Sequence, residues 1–312
     1  MERQPTASEI HNLFANSNPD EVWAKASDIL LRIAPGQDFE LAQVIFNDVM
    51  RLFRGEYPGY CAVKTLYHNL SHTLDVFLCA VRLSHGVHLS GIPLNGDELT
   101  RIMIAALMHD IGYAQRLDED TGTGAQFTRD HVRRGINFMR GYFADPRFPA
   151  FWADSLEAMM LCTDHMREIG SIDFPDERTR LLGKIVATAD LVGQMSDRTY
   201  PEKLMFLFLE FREADLGNYR CILDLLRTSK GFYEFTRQER LEGELERLYE
   251  KLVFHFKDCF GVERNYYMES MERNVEYVAR AAGLDEAGCL SMLKRGGVAE
   301  KVQGLIAPGE SS

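Results

Sequence analysis

The sequence predicts an all-α protein built as a single multi-helix bundle. Apolar residues recur at helical spacing along nearly the whole chain, and no segment shows the alternation typical of a strand. There is no internal repeat and no low-complexity tract, and 312 residues are enough to bury a large core. We therefore expect roughly 10–12 helices in one domain.

Two N-terminal helices are expected to flank the rest. The string Asn18-Pro19-Asp20 is typical of a helix start. The predicted apolar face of the first helix comprises Val22, Ala26, Ile29 and Leu30, and that of the second comprises Leu41, Val44, Ile45, Val49 and Leu52.

The next helix carries two histidines. It is expected to begin after Gly55 and Pro58 and to continue to Gly86. Because His68 and His72 are four residues apart, they should point the same way from this helix.

A second buried helix is expected beside it. Residues 97–109 are apolar nearly all round, which predicts a central helix, and Gly112 is well placed to end it. Residues 114–125 have the composition of a mobile loop beside this helix.

The remaining pattern is also helical. Further helices are predicted at about 126–143, 150–164 and 178–195, from Pro201, and from Thr236 to about Ala282 with a bend or break near Gly261. The tail from Gly296 to Ser312 is expected to fray.

Bulk composition limits the function classes. The net charge is −12, from 35 basic and 47 acidic residues, which argues against a nucleic-acid polymer as partner. A phosphate substrate is not excluded, because a bound cation reverses the local field. The six cysteines form no CxxC pair, residues 1–14 form no apolar signal region, and no apolar run is long enough to span a membrane. We expect a cytoplasmic protein with no membrane partner.

Four ionisable residues lie within apolar helical patterns, where burial of their side chains costs free energy, namely His72, His109, Asp110 and Asp190. A buried imidazole or carboxylate is disfavoured unless something pairs with it. Several converging on one point indicate a divalent metal ion, since imidazole and carboxylate together suit such ions. The alternative is that each is a satisfied core residue, with Lys184 or an arginine pairing with Asp190.

The strings that carry these residues resemble the HD superfamily of metal-dependent phosphohydrolases over residues 60–200. The string from Tyr67 to Val76, YHNLSHTLDV, is similar to a signature of class I cyclic-nucleotide phosphodiesterases. The string HDIG, from His109 to Gly112, is similar to that of HD-GYP cyclic-dinucleotide phosphodiesterases. Tyr113 departs from both patterns, so the resemblance leaves the substrate class open.

The resemblance implies an ordered set of six metal ligands, His72, His109, Asp110, His131, His165 and Asp190. They would hold one or two divalent metal ions (Mn, Mg, Zn or Fe), with Asp110 as the bridging carboxylate. His131 should start a helix that Gly135 allows to approach its neighbour, and His165 should close the helix from 150. A structural or exposed role for His131 or His165 stays open.

The catalytic residues implied are Asp110 and His68. His68 matches the position that protonates the leaving group in cyclic-nucleotide phosphodiesterases, while a role as a ligand or as a contact to one stays open. Asn69 and Asp75 are candidates to orient the ligand imidazoles.

The expected function is hydrolysis of a phosphodiester or nucleotide phosphate ester by a metal-activated water. The partner would be a small-molecule phosphoester or nucleotide. A dinuclear-iron oxygenase of the HD type and a non-catalytic nucleotide-binding module are the alternatives, and the sequence leaves open whether the chain forms a homo-oligomer.

The resemblance also suggests how the chain is divided. We expect flanking helices at 1–55, the HD domain at 56–260, and C-terminal helices and a tail at 261–312 packed on the same domain. Six cations are close enough in sequence to the motifs to bind phosphate oxygens, namely Arg116, Arg129, Arg133, Arg134, Lys184 and Arg198. Four histidines fit no ligand order and receive no role, namely His11, His85, His88 and His255.

Overall fold

Thirteen α-helices are formed by the residues that the computed structural model describes, which are 13–14, 18–119 and 121–306. The helices are α1 (Pro19–Ile33), α2 (Glu40–Phe53), α3 (Leu70–Leu89), α4 (Gly96–Met108), α5 (His131–Tyr142), α6 (Trp152–Leu161), α7 (Glu177–Ser196), α8 (Tyr200–Glu213), α9 (Ile222–Phe235), α10 (Leu252–Phe260), α11 (Tyr266–Ala282), α12 (Glu286–Met292) and α13 (Val298–Ile306). The described part contains no strand, only an isolated bridge between Tyr60 and Arg116. The all-α class is therefore confirmed.

Short helical turns of other types connect these helices. A π-helix spans Thr236–Glu244, and 3₁₀ turns span Ile111–Tyr113, Ala125–Phe127, Ile169–Ser171, Leu248–Lys251 and Arg295–Gly297.

Helix α3 is the centre of the bundle. Every residue from His72 to Val87 is buried, because α1, α4, α7 and α10 surround the helix. Helix α4 is buried from Glu98 to Met108, as its apolar circumference predicts. Helices α3 and α4, which each lead to candidate ligands at one end, are thus held in place by packing on all sides.

Asparagine caps set where several helices begin. Asn18 accepts the backbone N–H of Asp20 and Pro19 follows it, which confirms the predicted start of α1. Asn69 accepts from the backbone of Ser71 and His72 and starts α3.

The cap at Asn69 overturns one prediction. His68 does not lie on the helix one turn before His72, because α3 begins only at Leu70. At the other end, α3 continues past Gly86 to Leu89.

Two predicted details of the second and fourth helices are wrong. Leu41 and Val44 are 39% and 49% exposed, so only part of the predicted face of α2 is buried. Val44 lies about 100° around the helix from the buried Ile45, and Leu41 lies in the first turn. Gly112 does not end α4, which stops at Met108, and instead lies inside a 3₁₀ turn.

Helix boundaries later in the chain are less accurately predicted than helix positions. Helix α5 begins at His131 rather than near 126, because a separate 3₁₀ turn occupies Ala125–Phe127. Helix α6 ends at Leu161, so His165 follows the helix rather than closing it. The predicted helix at 178–195 agrees closely with α7, Glu177–Ser196.

The long pattern from Thr236 is broken more often than predicted. The break at Gly261 is confirmed by its left-handed conformation at the end of α10. A further break occurs where Glu246 and Arg247 also take positive φ, between the π-helix and α10. The tail predicted to fray, Gly296 to Ser312, forms helix α13 from Val298 to Ile306, and its residues 307–312 lie outside the described residues.

Residues 266–282 pack on the centre of the bundle. Asn274 of α11 donates to the backbone oxygens of Met195 and Asp197 at the end of α7. The domain boundaries at 55 and 260 stay predictions. Among the described residues, no helix combines the length and apolar character that crossing a bilayer requires.

Gly86 tests how closely α3 and the turn before α10 meet. A Cβ at Gly86 would lie 2.0 Å from the carbonyl oxygen of Lys251. Gly86→Ala should therefore lower the free energy of unfolding by about 1–3 kcal/mol, measured by chemical denaturation. The matched control is Gly231→Ala in α9, where a Cβ meets nothing within 4 Å. It should raise that free energy by up to about 1 kcal/mol, and equal effects of the two variants would contradict the close approach.

Candidate metal centre

Four ligand-type side chains converge where α3, α4 and α7 meet. The Nε2 atoms of His72 and His109 are 3.2 Å apart. They lie 3.0 and 3.1 Å from Oδ2 of Asp110, and each lies 3.6 Å from Oδ1 of Asp190. Ligands about 2.0–2.2 Å from a shared ion are themselves about 2.8–3.6 Å apart, the lower end for octahedral and the upper end for tetrahedral coordination. The five separations fall in that range. The ligand atoms of His72, His109 and Asp110 all lie within 4.8 Å of one another, so these three side chains could hold a metal ion, with Asp190 beside the two imidazoles.

Local hydrogen bonds aim these ligand atoms inward. Nδ1 of His109 lies 2.8 Å from the carbonyl oxygen of Ala106. Donation of the Nδ1 proton to that oxygen leaves the lone pair on Nε2, facing the other ligands. Asp190 is held by Gln194, whose Nε2 donates to Oδ1 of Asp190 at 3.2 Å.

The charge of the cluster favours a cation. Oδ2 of Asp110 is buried and has no hydrogen-bond partner among the described residues. Burial alone would lower the pKa of His109, but the carboxylates of Asp110 and Asp190 outweigh it and raise this pKa to about 9. At His72 the effect of burial dominates and lowers the pKa. Burial opposes ionisation of Asp110 too, yet neighbouring imidazoles, His109 foremost, hold its pKa well below the usual range.

His131 faces the other oxygen of Asp110. Its Nε2 lies 3.4 Å from Oδ1 of Asp110, and its Nδ1 lies 2.7 Å from the carbonyl oxygen of Thr128. Asp110 therefore presents one oxygen to the inner cluster and one to His131, as a bridging carboxylate would. The use of His131 as a ligand stays a prediction.

Two glycines bring the start of α5 to this turn. A Cβ at Gly112 would lie 1.8 Å from the carbonyl oxygen of His131. A Cβ at Gly135 would meet Ile111 Cγ2 at 3.3 Å. The close approach predicted from Gly135 is confirmed, and Gly112 contributes more to it than Gly135 does.

His165 is more distant and more exposed. Its Nε2 lies 3.9 Å from Oδ2 of Asp190. The side chain of His165 is 44% exposed and that of His131 is 21% exposed, whereas the four inner side chains are nearly inaccessible. The cluster thus opens to solvent on the side of these two histidines.

His68 reaches the cluster from the segment before α3. Its Nδ1 lies 2.6 Å from Oε2 of Glu210 on α8, and the backbone N–H of Tyr67 donates to Oε1 of Glu210 at 2.6 Å. Burial alone would lower the pKa of His68, but the carboxylates of Glu210, Asp110 and Asp190 together outweigh it, Glu210 foremost, and raise this pKa. Sequence reasoning missed Glu210, since it stands alone among the apolar residues of α8, without a motif around it.

Tyr113 is a second residue that sequence reasoning undervalued. Its ring stacks on His68, with centroids 4.6 Å apart, and on His131, with centroids 4.7 Å apart. The residue that departs from both family patterns therefore fixes the ring planes of two candidate site residues.

The cations suggested as phosphate ligands mostly have partners elsewhere. Lys184 lies 2.8 Å from Glu246, so it does not pair with Asp190. Four of the arginines contact a carboxylate or a backbone oxygen, namely Arg116, Arg129, Arg133 and Arg134. Arg198 is exposed. Asn69 fixes the backbone of His72 rather than an imidazole ring. Oδ2 of Asp75 lies 4.0 Å from Nζ of Lys203.

No protein-family model, no curated protein and no solved structure matches this chain. The resemblance to the HD superfamily therefore stays a proposal.

Asp110 tests the metal centre directly. The purified wild-type protein should hold metal, and Asp110→Ala should lose most of it, because a ligand facing both sides of the cluster is removed. Elemental analysis of the dialysed proteins measures the metal per chain. Asp28→Ala, at an exposed position of α1, is the control and should keep the wild-type content. An unchanged metal content in Asp110→Ala would refute the assignment.

The number of ions is tested at His165. If His165 is a ligand, His165→Ala should lose about one metal equivalent while the inner ion stays, because the inner four side chains are untouched. The same elemental analysis gives the count. Two equivalents retained at this centre in the variant would give His165 a structural role, and one equivalent at this centre in the wild type would make it a single-metal centre.

Proposed function

We propose that this protein is a metal-dependent phosphohydrolase of the HD type that acts on a small-molecule phosphoester. The proposal rests first on one observation, the convergence of His72, His109 and Asp110 at separations suited to one cation, with Asp190 3.6 Å from both imidazoles. Since Oδ2 of Asp110 and the Nε2 atoms of His72 and His109 are buried against one another at 3.0–3.2 Å, a cation is the natural partner for these atoms.

The second support is an acid next to the cluster. His68 and Glu210 form a buried dyad, and the carboxylate keeps the imidazole protonated to higher pH than usual. A protonated imidazole beside a metal centre is what departure of an alkoxide requires. An oxygenase of similar ligand order has no evident need for such a donor.

The third support is access. The open side of the cluster is formed by His131 and His165, so a small ester could approach from solvent. The chemistry supplied by a bound divalent cation is polarisation of the phosphoryl group and a coordinated water whose pKa falls toward neutrality. On this proposal, His68 gives its proton to the leaving oxygen, Glu210 stabilises the charged imidazole, and Tyr113 holds its ring plane.

The direct test is a screen of the purified protein against phosphomonoesters, phosphodiesters and nucleotides with Mn, Mg, Zn and Fe. Metal-dependent release of phosphate or of an alcohol that Asp110→Ala abolishes would support hydrolysis. A near-infrared mixed-valence signal from bound iron, without phosphoester turnover, would favour the oxygenase. Nucleotide binding without turnover under any metal would favour a non-catalytic module.

The leaving group separates acid catalysis from ligation at His68. His68→Ala should keep its metal and lose about 10²–10⁴-fold in rate on alkyl or ribose phosphodiesters, which need protonation of a poor leaving group. It should lose much less on p-nitrophenyl esters, since that leaving group needs little protonation. Similar losses on both substrates, or loss of metal, would place His68 in the coordination shell.

The control for this prediction is Glu210→Gln. Because Glu210 raises the pKa of His68, activity should be present below that pKa and fall as the pH rises through it. Removing the charge lowers the pKa, so the alkaline fall in the rate profile should move to lower pH. A profile that does not move would show that His68 is not the titrating acid.

A further inference from the structure

A second cluster of ligand-type atoms lies between α3 and α10. His85 of α3 faces His255 and Cys259 of α10, and none of the three belongs to the metal centre described above. The Nδ1 atoms of His85 and His255 are 3.0 Å apart. Sγ of Cys259 lies 3.7 Å from Nδ1 of His255 and 3.9 Å from Nδ1 of His85.

These separations suit one tetrahedral ion. With zinc–nitrogen distances of about 2.0–2.1 Å and a zinc–sulfur distance of about 2.3 Å, neighbouring ligand atoms lie about 3.3–3.6 Å apart. The three measured separations lie within a few tenths of an ångström of this range. Small side-chain rotations would therefore bring all three atoms onto one ion.

The backbone brings these side chains together. His255 and Cys259 are four residues apart on α10, so they share a face. Gly86, next to His85, admits the carbonyl oxygen of Lys251 and lets α3 meet the start of α10.

The imidazole of His255 makes its polar contacts with the other two members of the cluster. The residue is 1% exposed, and its Nε2 has no hydrogen-bond partner in the described part of the chain. Its polar contacts are made by Nδ1, which faces His85 and Cys259. Nε2 points away from the cluster, so the cost of burying this ring has to be offset at Nδ1, the nitrogen that faces the other two ligand-type atoms.

The surroundings give access and orientation. His85 is buried, Cys259 is partly exposed, and the Asp258 side chain is 42% exposed, so the thiol forms the rim of the cluster. Oδ2 of Asp258 lies 3.8 Å from Nε2 of His85 and 3.3 Å from a guanidinium nitrogen of Arg32. This distance to His85 is too long for a hydrogen bond, but the negative charge of Asp258 favours a proton on Nε2 of His85, which leaves the lone pair of Nδ1 pointing inward.

We propose that His85, His255 and Cys259 bind one zinc-type divalent cation, with the fourth position taken by water. Two imidazoles and a thiolate favour zinc over magnesium or calcium, which prefer oxygen ligands. On binding, the sulfur–hydrogen bond of Cys259 breaks, the proton goes to solvent, and the sulfur–metal bond forms. The ion then joins α3 to α10. This site is independent of the proposed hydrolytic function.

Cobalt tests the proposal, because a cobalt–thiolate bond gives a charge-transfer absorption in the near ultraviolet. Co²⁺ added to the metal-free wild-type protein should produce this absorption, and excess Zn²⁺ should remove it. The metal centre of His72, His109, Asp110 and Asp190 has no sulfur ligand, so Asp110→Ala should keep the absorption. Cys259→Ser should lose it, while Cys221→Ser, a cysteine of similar exposure outside the cluster, should keep it.

Two further measurements protect the test against a variant that does not fold. In the wild-type protein, Zn²⁺ should shield Cys259 from iodoacetamide, mapped by mass spectrometry, and leave the labelling of Cys221 unchanged. Asp258→Asn should weaken Co²⁺ binding at this site by about 10- to 100-fold. Absence of the absorption in the wild type, its persistence in Cys259→Ser, or equal labelling with and without Zn²⁺ would overturn the proposal and leave an ordinary hydrogen bond between two histidines.

Discussion

The close crossing of α3 and α7 is the constraint on which the rest of the molecule depends. A Cβ at Gly193 of α7 would meet the backbone oxygen of Asp75 and Cβ of Cys79 at 3.3 Å, which is tighter than an ordinary van der Waals contact, so the two helices pack closely here. His72 and Asp190 lie one turn from this crossing, and their ligand atoms come within 3.6 Å. Both side chains stand on helices buried nearly all round, where an uncompensated carboxylate is costly. The packing therefore buries negative charge beside His72, where a positive charge would offset its cost.

Asp110 connects the buried inner cluster to the outer part of the site. Its Oδ2 faces the imidazoles of the inner cluster, and its Oδ1 faces His131 at the start of α5. This requires the turn after α4 to touch the first turn of α5, which Gly112 permits. Tyr113, the next residue, then stacks between His131 and His68. One short turn thus positions together a carboxylate that faces both sides of the cluster, a candidate ligand and a candidate acid.

Patterns local in sequence could be predicted, and contacts between distant segments could not. The all-α class and the buried character of α3 and α4 follow from periodicity, because an apolar circumference is visible in one segment. The position of His68 was wrong, since the cap at Asn69 competes with a helix that the spacing also allows. Glu210 could not be found, because its only distinction is burial beside His68, which is 142 residues away. The arginines near the motifs were likewise misleading, as local carboxylates and carbonyls engage them.

The same limit explains why His85 and His255 received no role. His255 and Cys259 share a helix face, but a pair at this spacing is common in an amphipathic helix, and the third member stands 170 residues earlier. Helix α3 carries one member of each cluster, His72 near one end and His85 near the other, about 20 Å apart along its axis. Over that distance two ions would repel each other only weakly compared with the attraction of their own ligands. A central helix that must be buried anyway can therefore hold two separate polar clusters, each closed by a different neighbour, α7 at one end and α10 at the other.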